Sequence, residues 1–253
     1  MQIEIALRKH TMNVEWENKI NLTAALRMAA RLDLHEGVDN HFSLMVSDKP
    51  FRFLLNPNRR HWSQLRASEL VEVDESGKPI NDSEPPERTA FFIHSRIHMA
   101  CPQAKCILHT HMRYATALTM IEGGRLEPVV QSALKFFGQI AYMDDFGGLA
   151  LDEHEGDRLA RALGEKRILF LANHGVIVVG PSVAHAFNDL YYLEKACMAQ
   201  ITAMSSGRSL KRIPQEVAEY TYTQMQGDRD DQSSRHFMEI RRILDKEEPD
   251  YAT

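Results

Sequence analysis

Cysteine is scarce and poorly spaced for chemistry: the 253 residues hold three, Cys101, Cys106 and Cys197, an odd number with no Cys-x-x-Cys pair. That argues against a disulfide framework, a thiol redox motif or a cysteine-ligated zinc site, and the three read as reduced, buried filler. No apolar run approaches the eighteen or more residues of a membrane span, and the first twenty residues carry charges throughout in place of a signal-peptide core. The expectation is a cytoplasmic protein with no membrane partner. A basic surplus is also missing. With 35 acidic residues against 30 Lys and Arg the formal net charge is -5 at pH 7, which argues against a nucleic-acid partner, because neutralising phosphates requires a basic face. A glycine-rich phosphate loop, a fixed-period repeat and a low-complexity tract are absent as well.

Hydrophobic content is ample at 43%, enough for the core of one large domain spanning 1–253. Residues Trp16 to Leu34 place Leu22, Ala25, Leu26, Ala29, Ala30 and Leu32 at helical spacing. Asn40 to Val46 and Phe51 to Leu55 read as two strands joined by a turn, and Leu70 to Val73 as a third. Ser83 to Pro86 signal a helix from about Pro86 to Ala100, ended by Cys101-Pro102. Helical spacing returns at Arg113 to Ile121, a strand is expected near Gln139 to Met143, and a helix from Asp152 to Leu163. Ser182 to about Ser206 carries Val183, Ala186, Phe187, Leu190, Leu193 and Cys197 along one face of a long helix. The polar stretch Gln226 to Asp231 precedes a short last helix around Phe237 to Leu244, and Lys246 to Asp250 is expected to fray. Interleaved helices and strands predict an α/β fold, a mixed central sheet covered by helices.

The chemistry lies in histidines. Ile107 to His111 read Ile-Leu-His-Thr-His, so an extended chain puts His109 and His111 on the same side. His174 sits in an Asn-His-Gly turn that interrupts the apolar run Ile168 to Gly180. Three neutral imidazoles at strand ends form a facial metal site with open coordination positions, where substrate oxygens can bind and develop negative charge. The remaining histidines, His10, His35, His61, His98, His154, His185 and His236, have nothing in the sequence to bring them to that site.

Taken in order, these landmarks resemble the class II aldolase/adducin family, in its adducin-like bacterial branch, over roughly Ile20 to Gly207. The resemblance rests on His109-Thr110-His111 followed by Tyr114 to Leu118, on Asn173-His174-Gly175, on Asn56-Pro57 with His61-Trp62, on Cys101-Pro102, and on Ala184 to Cys197. It implies a three-layer α/β/α domain with a core of about 20–207 and a helical tail over 208–253. It also implies a divalent metal, zinc or else manganese, on His109, His111 and His174, and a homotetramer with active sites near subunit interfaces. Members with this triad are typically lyases that break or form a carbon–carbon bond through a metal-stabilised enolate; the adducins show the fold without known catalysis.

Two departures shape the expectation. The sugar-phosphate aldolases of the family carry a proton-moving glutamate nineteen positions before the first ligand, where this chain has Ala90. Alanine takes no proton, so another group must serve, and Glu87 and His94, one turn to either side on the same helix face, are the candidates. The family's phosphate loops are replaced by Asp39-Asn40-His41 and Asn58-Arg59-Arg60. Asn40 and His41 are therefore candidate substrate contacts, His41 also a candidate proton carrier, and Arg59, Arg60 or above all Arg113 would suit a carboxylate. The leading expectation is a metal-dependent lyase, aldolase or decarboxylase in type, acting on a small keto or hydroxy acid. The alternative is a non-catalytic adducin-like binding or scaffold module.

Overall fold

A computed structural model describes residues 2–80 and 83–253. The elements run α1 (Gln2–Arg31), β1 (His41–Asp48), β2 (Phe51–Leu55), β3 (Val71–Asp74), α2 (Arg88–Ala100), β4 (Cys106–Thr110), α3 (Arg113–Thr119), β5 (Ile140–Met143), α4 (Glu153–Leu163), β6 (Ile168–Leu171), β7 (Gly175–Gly180), α5 (Val183–Met204), α6 (Gln215–Gly227) and α7 (Arg229–Glu247), with short 3₁₀ turns between them. Seven strands form one sheet in the order β3-β2-β1-β4-β7-β6-β5. Among the described residues only the β5–β6 pair is parallel, so the sheet is mixed, as expected.

Helices cover both faces because the central strands are apolar on both. On one side Phe42, Leu108, Val176 and Val178 pack against α1, α3, α5 and α7 through Leu26, Ala115, Phe187 and Ile240. On the other, Ile107, Ile177 and Val179 meet Ile93 and Ile97 of α2 and Leu159 and Leu163 of α4. Alternation along each strand thus sends successive residues into separate cores. Helix starts follow their capping chemistry: Asp152 accepts from the Glu155 amide and Ser182 from the His185 amide, each satisfying an orphan donor.

Register aims the histidines. His41 of β1 pairs with His109 of β4, which pairs with Ile177 of β7. Leu171 pairs with Gly175, leaving Ala172, Asn173 and His174 as a tight hairpin loop. Asn173 adopts φ 55°, a left-handed conformation that asparagine tolerates better than most residues. A Cβ on Gly175 would stand 2.5 Å from the Thr110 carbonyl oxygen and 2.9 Å from His111 Cδ2. The glycine therefore permits the approach that brings the third histidine beside the other two.

Both ends of the chain differ from the expectation. Helix α1 begins at Gln2, well before Trp16, and among the described side chains it packs into the core from Ile20 onward. Helix α6 has no counterpart in the sequence expectation, and α7 starts at Arg229, within the polar stretch, and runs on to Glu247. The Lys246 to Asp250 segment does not fray. Arg27, buried in α1, donates to Glu248 at 3.1 Å, to Asp250 at 2.7 Å and to the Leu65 carbonyl at 2.8 Å, and Tyr251 is fully buried. Those acids balance a buried guanidinium, which propensity along the tail cannot show.

Candidate metal centre

His109, the penultimate residue of β4, lies fully inside the protein, and its Nδ1–H donates to the Val176 carbonyl at 3.0 Å, so Nε2 is left free to face its neighbours. His111 lies just beyond β4 with Nδ1 2.5 Å from a carboxylate oxygen of Glu36. Its Nε2 is buried and without a hydrogen-bond partner. His174 faces both rings across 4.9 and 4.7 Å between ring centroids. One nitrogen from each of the three lies within 4.8 Å of the other two. Burial, reinforced by the neighbouring imidazoles, holds His109 well below its usual pKa and lowers His174 to about 4, so both are neutral at pH 7.

These residues fit a divalent ion. Two of the rings have their outward nitrogen fixed by a carbonyl or a carboxylate, the outer-shell arrangement that orients metal-binding histidines, and an orphaned buried Nε2 points to a missing partner. Glu36 was not singled out in the sequence, where it is one acid in a polar turn. Glu194 is a second such residue: its buried carboxylate accepts from the Tyr114 and Ala115 amides at 2.8 and 2.9 Å and so anchors the start of α3, directly after His111.

A cavity of about 350 Å³ opens over the triad, lined among others by Asn40, His41, Asn58, Glu87, Ala90 and Leu149. Asn40 accepts from the Glu36 amide at 2.7 Å, and its own Nδ2 is buried and unpartnered. His41 lies against His109, with ring centroids 4.7 Å apart, and burial lowers it to about 3. Glu87 reaches the cavity, but its carboxylate caps α2, accepting from the Ala90 amide at 2.8 Å and from the Thr89 hydroxyl. His94 is completely buried and stands behind His41, outside the cavity lining. His98, with no sequence signal tying it to the site, extends that same buried row through Ser43.

The arginines lie elsewhere. Arg113 is 71% exposed and bonded to Asp33 at 2.8 Å, and Arg60 is bonded to Glu69 at 2.8 Å. Neither of these, nor Arg59, lines the cavity. Of the other histidines, His35 and His61 contact each other at 3.2 Å, His185 meets Asp230 at 2.9 Å and His236 meets Asn188 at 3.0 Å. The His10 side chain lies outside the described residues.

Residues 20–201 match the family model described as Class II Aldolase and Adducin N-terminal domain. A crystal structure of an aldolase II superfamily protein from Pseudomonas syringae superimposes with a TM-score of 0.88 at 34% identity, covering 94% of this chain and 96% of that one. An L-fuculose 1-phosphate aldolase from Glaciozyma antarctica PI12 gives 0.83 at 25% identity, covering 94% and 93%. Decarboxylase NovR from Streptomyces niveus is 30% identical over 209 residues, 82% of this chain and 77% of NovR.

Proposed function

Given that this chain belongs to the class II aldolase and adducin family, we propose that it is a metal-dependent lyase that breaks a carbon–carbon bond of a small keto or hydroxy acid by way of an enolate. The observation that carries this reading is the triad itself. Among the described residues His109, His111 and His174 converge without a fourth Cys, His, Asp or Glu, whereas a structural zinc takes four protein ligands. The same observation weighs against the second reading, a scaffold module of the adducin kind. The names of the relatives span the two reaction types considered, one an aldolase and one a decarboxylase.

A divalent ion on the three histidines, zinc by the donor set with manganese as the alternative, would supply Lewis-acid stabilisation of negative charge on a substrate oxygen. The rest falls to the chain. Asn40 offers an unpartnered Nδ2–H to a substrate oxygen, and His41 offers a ring nitrogen at the same wall. Ala90, Ile93 and Ala150 form an apolar wall that limits water. The lining contains no Lys or Arg, so a substrate carboxylate would be held by the ion and by Asn40 and not by an arginine. Glu87, held at the α2 N-cap, lines the cavity as a second candidate proton carrier.

The proposal extends to a cytoplasmic homotetramer. Leu149 at the cavity wall and Phe146 beside His174 are apolar and exposed, a surface suited to cover by a neighbouring subunit. Light scattering should return a mass close to four chains of 29.0 kDa each. The central test is elemental analysis of protein purified without chelator, beside His111→Ala prepared identically, followed by a screen of keto and hydroxy acids. About one ion per wild-type chain, its loss in the variant, and metal-dependent cleavage of at least one acid are expected. Little metal in the wild type and no uptake on titration would overturn the reading.

A further inference from the structure

A continuous row of polar side chains runs away from the cavity into the protein. His41 Nδ1 lies 2.7 Å from His94 Nε2, His94 Nδ1 meets Ser43 Oγ, Ser43 Oγ lies 2.7 Å from His98 Nε2, and His98 Nδ1 lies 2.7 Å from the Ala104 carbonyl oxygen. Ser43 and His94 are fully buried and His98 nearly so. Buried Phe53 packs against His98, with ring centroids 5.2 Å apart. Burial lowers His98 to about 3, with the nearby Lys105 charge adding to the effect, and holds His94 well below its usual pKa. Both rings are therefore neutral at pH 7, each with one N–H and one bare nitrogen.

The far end sets the direction of every bond. A carbonyl only accepts, so the proton of His98 sits on Nδ1 and its Nε2 is bare. The Ser43 hydroxyl must then donate to His98, which leaves its oxygen to accept from His94 Nδ1–H. His94 Nε2 is consequently bare and accepts from His41 Nδ1–H. We infer that Ser43, His94 and His98 are positioning residues that hold His41 in its Nδ1–H form, so that it offers a bare Nε2 to the cavity as the acceptor of a substrate hydroxyl proton. The hydroxyl belongs to the hydroxy acid of the proposed function and rests on that reading; the direction of the row does not.

The role supplies the group that Ala90 cannot be. In a retro-aldol cleavage the Nε2 lone pair takes the hydroxyl proton, and the O–H electron pair becomes the second bond of the new carbonyl. The carbon–carbon bond breaks and its pair passes to the enolate. The proton then returns from Nε2 to the enolate carbon, which leaves His41 neutral and consumes no oxidant, reductant or water. A decarboxylation begins without removal of a hydroxyl proton, so this direction of the row favours hydroxy acids as substrates.

Histidine tautomers can be read by nitrogen NMR on the protein as purified, labelled with ¹⁵N-histidine, with His41 assigned from a His41→Gln sample. Wild type should show His41 protonated on Nδ1 and bare at Nε2, the minority form of a neutral imidazole in water. Ser43→Thr, which keeps the hydroxyl, should retain that form, and Ser43→Ala should lose it. A proton on Nε2 of wild-type His41, or on both nitrogens, overturns the inference without reference to any variant. So does a folded Ser43→Ala in which the tautomer is unchanged. With a cleaved hydroxy acid in hand, Ser43→Ala should lower kcat by about tenfold or more with KM within about twofold, and Ser43→Thr should restore it. The tautomer is read without turnover, so failure to cleave any acid counts against the proposed function and not against the direction of the row.

Discussion

Glu36 and His111 stand 75 positions apart in the chain, yet a carboxylate oxygen of the first lies 2.5 Å from Nδ1 of the second. A ligand oriented in this way gains basicity and loses rotational freedom. Glu36→Gln should therefore weaken metal binding by about 10- to 100-fold with little change in melting temperature, measured by competition with a chromophoric chelator. Unchanged affinity would show that the contact does not tune the site.

Gly175 makes a second prediction. Because an added Cβ would sit 2.5 Å from the Thr110 carbonyl oxygen and 2.9 Å from His111 Cδ2, Gly175→Ala must push β7 away from β4 or displace His111. The expected cost is about 1 to 3 kcal/mol by chemical denaturation, together with a larger loss of metal affinity than that of Glu36→Gln. Wild-type values on both measures would contradict the packing described.

The Arg27 contacts with Glu248 and Asp250 can be cut from either side. Replacing both acids by alanine leaves a buried guanidinium with one carbonyl partner and should cost about 3 to 5 kcal/mol. Arg27→Met should cost less, since the carboxylates are 30% and 50% exposed and water can take them up. Equal destabilisation by the two changes would refute this asymmetry.

Acid should unfold the protein early. His98 titrates near 6.5 in the unfolded chain and near 3 in the folded one, so below pH 6.5 the unfolded state binds a proton that the folded state does not. Its share of stability is complete above pH 6.5 and is lost as pH falls from there toward 3. Between pH 6.5 and pH 5 this residue alone removes about 1.6 kcal/mol, the slope rising toward roughly 1.4 kcal/mol per pH unit as the unfolded histidine becomes fully protonated. A His98→Asn variant should show a shallower decline in urea-unfolding free energy over that interval; an identical slope would assign the acid sensitivity elsewhere.

The central strands and the convergence of His109, His111 and His174 were legible in the sequence because both follow short-range rules: period two in a strand, a turn at Asn-His-Gly, capping at Asp152 and Ser182. The His94 row was half legible. His41 and Ser43 are polar at alternate positions of an otherwise apolar strand, and His94 and His98 are one helical turn apart, but only the packing of α2 on β1 brings the two pairs together. Glu36, Glu194 and the Arg27 latch left no local signal, since each gains its role from a partner dozens to hundreds of residues away. Arg113 illustrates the converse, a sequence neighbour of His111 that turns to the surface and pairs with Asp33.

The Ala104 carbonyl that terminates the histidine row accepts one bond from His98 and has no proton to pass on. The row is thus a blind alley for hydrogen, with its single mouth at His41. On the inferred direction, a proton taken up at His41 Nε2 would stay on that ring until it returned to the molecule lying against it, and would not be conducted to bulk water.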